Sequence, residues 1–210
     1  MVVTAVTHAS QRSLSRFPSV DVDGLRFTTI ASEERLCALA AFDWSAYGEK
    51  DVPLDVLRTW WDAFPHGIRV AESPDGRILG AMSAWPLEAP AYEAVANGTL
   101  TEDRLTPEHF ALSQRSRPRW YISGIAAGPE LRSAPARLVS FLADGLVALG
   151  HASCCDEPDI CAVATSADGE RMLRRFGFTR RGTTPHGVAY ERRAFRDARI
   201  AALAVRLAPA

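Results

Sequence analysis

Apolar residues along this chain follow two rhythms, one of short continuous or alternating runs and one of three-and-four spacing. Residues 25–30, LRFTTI, form a β-branched run that predicts a strand. Ser32, two acids, then Leu36, Leu39 and Ala40 predict a capped amphipathic helix behind it. After a loop over 44–52, Pro53 opens a second helix through Leu54, Leu57, Trp60, Trp61 and Phe64, closed by Pro65, His66 and Gly67. IRVAE and RILGAMSAW flank a Pro-Asp-Gly turn at 73–76 and predict an antiparallel hairpin.

Residues 88–118 change character. They are polar, with helix-like fragments, caps at Thr101 and Thr106 and a basic end, QRSRPR, and they read as a helical insertion. The continuous apolar run WYISGIAA, residues 120–127, predicts a buried strand. Residues 135–150 predict a helix that stops at a glycine cap, Gly150. ICAVAT, ADGERMLRRF, FTRRG and HGVAYERR then predict strand, helix, strand and strand. Residues 23–193 are expected to form one domain, with 1–22 a loose arm and the Ala-rich 194–210 a helical extension. The order β-α-α-β-β-insertion-β-α-β-α-β-β predicts an α/β fold: a mixed, mostly antiparallel central sheet with one parallel βαβ crossover, flanked by helices.

Composition narrows the function. The 210 residues, 47% hydrophobic and 23% charged, suffice for a sizeable core. A net charge of -1 argues against a chain that coats nucleic acid, which needs clustered Lys and Arg. No run reaches the roughly 18 apolar residues of a membrane span, and no secretory leader is evident, so a cytoplasmic protein away from membranes is expected. His151, Cys154, Cys155 and Cys161 are crowded together, but H-x2-C-C-x5-C lacks the paired C-x2-C of a zinc turn. They read as thiols of a reducing compartment, with no metal expected.

Two stretches carry the candidate chemistry: IAAGPELRSAPARL at 125–138 and TSADGERMLRRFGFTRRG at 165–182. With the order of elements, they resemble the GNAT superfamily of acyl-CoA-dependent N-acetyltransferases over about residues 25–193. The resemblance implies acetyl-CoA or another acyl-CoA as co-substrate. It implies that the turn after the central strand holds the pyrophosphate through backbone N–H groups at a helix start. Arg132, Ser133, Ala134, Ala136 and Arg137 stand there in this chain, without the usual glycines, and Pro135 contributes no N–H. The backbone of Ile125, Ala126 and Ala127 falls where the family binds the thioester. Ser166 falls where the family has an Asn beside the cofactor, and Leu173 where it has a Tyr that protonates the thiolate.

Catalytic candidates are therefore Ser166, His186 and Tyr190, with Glu130 and Tyr121 as further acid or base groups. Trp44, Tyr47, Trp60 and Trp61 come from the region that covers the acceptor in the family, and Trp44, Tyr47 and Trp61 are the candidate acceptor contacts. The resemblance implies transfer of an acetyl or other acyl group from coenzyme A to an amine of a small molecule or peptide. The alternative is a non-catalytic protein of the same fold that binds a ligand or partner. The insertion either closes over the acceptor pocket or serves a homodimer.

Overall fold

The computed structural model describes residues 20–22, 24–47, 52–112, 119–153 and 158–193. The expected arm over 1–19 and the expected helix from 194 lie outside the described residues, as do Cys154 and Cys155. One strand precedes the first one expected. β1, Val20–Val22, pairs antiparallel with β2, Leu25–Thr29, and Gly24 turns the chain between them at φ 77°. Residues 20–22 thus belong to the sheet and not to the arm.

The next elements are α1 Glu33–Tyr47, α2 Leu54–Ala63, β3 Ile68–Glu72, β4 Ile78–Leu87 and α3 Ala89–Ala96. The second half holds β5 Arg119–Ala127, α4 Pro129–Arg132, α5 Pro135–Ser153 and β6 Ile160–Ala164. It closes with α6 Ala167–Arg175, β7 Thr179–Thr184 and β8 Gly187–Arg192. The eight strands form one sheet in the order β1-β2-β3-β4-β5-β6-β8-β7. Among the described pairings only β5 with β6 is parallel, joined by the crossover through α5. The expected fold class is the observed one.

Each face of the sheet is covered. Phe141 and Leu142 of α5, Leu173 of α6 and Phe178 pack with Phe27 and Trp120 on one side. Leu36 and Leu39 of α1, Leu57 and Trp60 of α2, and Tyr92 of α3 pack with Val70 and Trp85 on the other. A bidentate ion pair crosses the first of these layers. Arg69 of β3 donates from Nε to Asp144 Oδ2 at 3.0 Å and from Nη2 to Oδ1 at 2.9 Å, with both residues buried. Gly145, beside Asp144, lets α5 approach the sheet, because a Cβ there would lie 2.6 Å from Met82 Sδ.

Two helices outrun their expected ends. α1 continues through Trp44 to Tyr47, where a loop was expected, because 33–47 contains neither Gly nor Pro and buries Leu36, Leu39 and Asp43 on one stripe. α5 runs past Gly150 to Ser153; an interior glycine costs only about 1 kcal/mol against alanine, and a helix of 19 residues absorbs it. The insertion follows α3 with 3-10 turns at Glu102–Arg104 and Pro107–His109, flanked by Thr101 and Thr106 as expected. It is pinned to α2 by Trp60 Nε1–H, which donates to Leu105 O at 2.9 Å, and to β4 by Phe110, whose ring stacks on Trp85 at 5.7 Å.

Candidate functional site

The site starts from one extra residue. Ser83 pairs with Gly124 while Ala84 pairs with Ile122, so Ser123 is a bulge in β5. Its hydroxyl accepts from Trp85 Nε1 at 2.9 Å. A bulge bends the strand that carries it, and β5 keeps its pairing with β6 only from Trp120 to Ile122. Beyond Ser123 the two parallel strands part, and a cleft of about 900 Å³ lies between them.

Four elements wall this cleft. β5 offers Gly124 to Ala127, α5 its second turn around Leu138, α6 its start at Ser166, and α1 its end at Tyr47. The backbone N–H of Ile125 points into the gap and donates to Tyr47 Oη at 2.9 Å. Arg132, Arg171 and Arg175 line the cleft from α4 and α6, with Asp168 of α6 among them and paired to Arg171, whereas Asp43 and Glu102 line it from α1 and the insertion. Glu102 Oε1 accepts from Tyr121 Oη at 3.1 Å. Burial first, and the Glu102 carboxylate second, hold the Tyr121 phenol well above its ordinary range, so it stays protonated and donates.

The turn between α4 and α5 leaves a small set of backbone donors. Ser133 N–H returns to Pro129 O at 2.9 Å and Ala134 N–H to Leu131 O at 3.2 Å, while Pro135 has none. The N–H groups of Ala136 and Arg137 remain at the open start of α5, where the helix dipole favours an anion. Arg132 reaches the cleft; Ser133, Ala134, Ala136 and the Arg137 side chain are not among its lining. Ser133 Oγ donates instead to Glu130 O at 3.0 Å.

Other candidates separate in the same way. Ser166 lines the cleft, but its Oγ caps α6 by accepting from Gly169 N–H at 3.1 Å. Ser166→Ala is expected to cost about 1 kcal/mol of stability through that lost cap, measured by urea unfolding. His186 sits in the exposed β7–β8 turn, away from the cleft, with Nε2 4.0 Å from Asp103 Oδ1. Tyr190 is buried beneath α6, donating to Glu170 Oε2 at 2.8 Å and accepting from Arg174 Nε at 3.1 Å, so it fastens that helix to β8. Glu130 pairs with Arg77 at 3.1 Å outside the cleft.

Of the aromatic candidates for the acceptor side, only Tyr47 lines the cleft. Trp44 is 59% exposed, Trp60 is fully buried, and Trp61 Nε1–H donates to Ile30 O at 3.2 Å within the α1–α2 core. Asp43, Glu102, Ser123, Asp168, Arg171 and Arg175 are among the lining groups that sequence reading missed. A glycine inside a strand pattern, Gly124, was the available signal for the bulge. Burial drives the Cys161 thiol upward, away from thiolate chemistry, and among the described residues no group of three His, Cys, Asp or Glu is placed to hold a metal ion. Among the described residues no helix is long and apolar enough to cross a membrane.

No family model matches this sequence, and no curated protein matches it. Solved structures do. The chain is similar to the loading GNATL domain of CurA from Lyngbya majuscula, at TM-score 0.58 and 15% identity over 81% of this chain and 98% of that one. It is similar to Ard1 from Thermoplasma volcanium at TM-score 0.54 and 12% identity, covering 82% and 99%. Naa20 from Chaetomium thermophilum, in complex with a bisubstrate analogue, matches at TM-score 0.52 and 16% identity, covering 82% and 92%. At such identities the likeness is one of fold.

Proposed function

We infer that this chain, which has the GNAT fold, is an acyltransferase moving an acetyl or other acyl group from coenzyme A to an amine of a small molecule or peptide. The parting of β5 and β6 carries the reading: it opens a cleft with arginines on one layer and a free-standing strand backbone at its floor. Arg132 and the N–H groups of Ala136 and Arg137 would hold the phosphates, with Arg171 and Arg175 adding positive field. The backbone of Ile125, Ala126 and Ala127 would carry the extended arm of the co-substrate, and Ile125 N–H would polarise the thioester carbonyl. The amine would enter from the side of α1 and the insertion, past Tyr47 and Glu102. An acidic wall there suits a group that arrives as an ammonium ion.

Calorimetric titration with acetyl-CoA tests this, with dephospho-CoA and adenosine diphosphate as controls for the part recognised. Micromolar binding is expected, and no binding up to millimolar concentration would overturn the reading. Arg132→Ala is expected to weaken binding by about 1–3 kcal/mol, the scale of a lost charge-assisted hydrogen bond. Arg137→Ala is expected to lose less, because Arg137 is not among the residues that line the cleft and the substitution keeps its backbone N–H. The rival reading, a non-catalytic binder, draws on the apolar Leu173. Consumption of acetyl-CoA in the presence of pooled amines would exclude it.

A further inference from the structure

A thiolate leaves poorly unless it is given a proton. On α6 the position that the resemblance reserves for the donor is Leu173, buried among apolar side chains. Ser166 Oγ is fixed at the start of α6 by its cap, and Tyr190 lies under α6, outside the cleft. A hydroxyl on another element reaches the strand backbone itself.

Tyr47 ends α1 and lines the cleft. Its hydroxyl accepts the Ile125 N–H at 2.9 Å, on the stretch of β5 that β6 has left. The ring lies over Gly124: a Cβ there would stand 3.7 Å from Tyr47 Oη and 3.9 Å from Cε2, ordinary contact distances, so the phenol rests against the strand at this point. This N–H is the donor assigned above to the thioester carbonyl. A carbonyl oxygen that takes it would displace the phenol by roughly one hydrogen-bond length, about 3 Å, and keep it at the thioester end of the cleft.

We propose that Tyr47 is the general acid of the transfer, delivered from α1 in place of a donor on α6. The proposal rests on the acyltransferase reading. The amine, its ammonium proton lost to solvent, attacks the thioester carbon with its lone pair, forming C–N, while Ile125 N–H holds the charge on oxygen. The C–S bond breaks, its electron pair goes to sulfur, and sulfur takes the Tyr47 proton. The phenolate then takes the proton that the new amide nitrogen must lose, so the residue is restored and no further reactant is needed. The phenol has to be protonated at the start, so turnover falls as pH rises through its pKa.

The test compares wild type, Tyr47→Phe and protein carrying 3-fluorotyrosine at position 47, measuring acetyl-CoA affinity and the pH profile of kcat with an amine found in the pooled screen. Tyr47→Phe is expected to bind acetyl-CoA no more weakly than wild type, since the phenol no longer competes for Ile125 N–H, and to lose about 100-fold or more in kcat, the scale of general acid catalysis. The fluorinated phenol, being more acidic, is expected to restore turnover with the alkaline limb moved to lower pH. Turnover of Tyr47→Phe within about threefold of wild type, or an alkaline limb that fluorination does not move, would overturn the proposal alone. Wild type that neither binds nor consumes acetyl-CoA would overturn the acyltransferase reading and this proposal with it.

Discussion

Asp144→Ala is expected to remove about 3–5 kcal/mol of folding stability, the cost of leaving one member of a buried ion pair without the other. Arg69 is 5% exposed and donates to both oxygens of the Asp144 carboxylate. With the carboxylate gone, its guanidinium stays in a layer walled by Phe141 and Met82 and cannot shed its charge. A loss of that size is a large share of the 5–15 kcal/mol that roughly bounds a domain's stability. Urea unfolding of Asp144→Ala, Arg69→Met and the double variant Arg69→Met/Asp144→Leu checks the account. The double variant should recover most of the loss, since a packed apolar pair carries no desolvation penalty. If Asp144→Ala cost under about 1 kcal/mol, the pair would be behaving as a solvated surface bridge instead. The pair matters to the site because it ties β3 to α5, and α5 is one wall of the cleft.

The sheet was readable from sequence because strands and helices were written locally: β-branched runs, Pro53 at a helix start, Pro-Asp-Gly in a hairpin, Gly177 at the exit of α6 with φ 78°. The crossover that makes β5 and β6 parallel followed from helix 135–150 standing between two apolar runs. The site was less readable because it depends on relations between distant segments. WYISGIAA is continuous in its apolar character, so nothing but Gly124 marked the bulge at Ser123 that opens the cleft. Tyr47 is expected as an acceptor contact, but its Ile125 partner lies 78 residues away and sequence gives no sign of it. Trp60 and Trp61 come from the same acceptor-side region, yet helical spacing turns one into the core and the other onto Ile30. Ile125, singled out for its backbone, lines the cleft with its N–H on Tyr47, where residue type does not matter. Ser166 lines it as well, but its Oγ has a local structural use that sequence does not announce, the cap of α6.

Trp60→Ala is expected to cost about 3–5 kcal/mol, the range for deleting a buried large aromatic. Trp60 is fully buried, edge-on to Trp85 at a centroid distance of 5.4 Å and to Phe110 at 6.4 Å. Its loss leaves a cavity and deprives the Leu105 carbonyl of the indole donor. The damage should also have an address. Leu105 and Phe110 are the points at which the insertion holds to α2 and β4, so the segment around Glu102 should open before the sheet does. Limited proteolysis and amide hydrogen exchange should therefore show the largest gain over 99–111 in Trp60→Ala and a smaller, uniform gain in Asp144→Ala. Trp60→Phe, which keeps a ring and loses the N–H, should fall between wild type and alanine. Uniform exchange throughout Trp60→Ala would mean that the insertion is one cooperative piece with the sheet. Localised exchange would mean that the wall proposed to face the acceptor, with Glu102 on it, is a separately opening flap against a rigid side proposed to hold the coenzyme. In that case acetyl-CoA affinity should survive Trp60→Ala while selectivity among amines is lost, because Glu102 faces the cleft from the insertion and Arg132 does not.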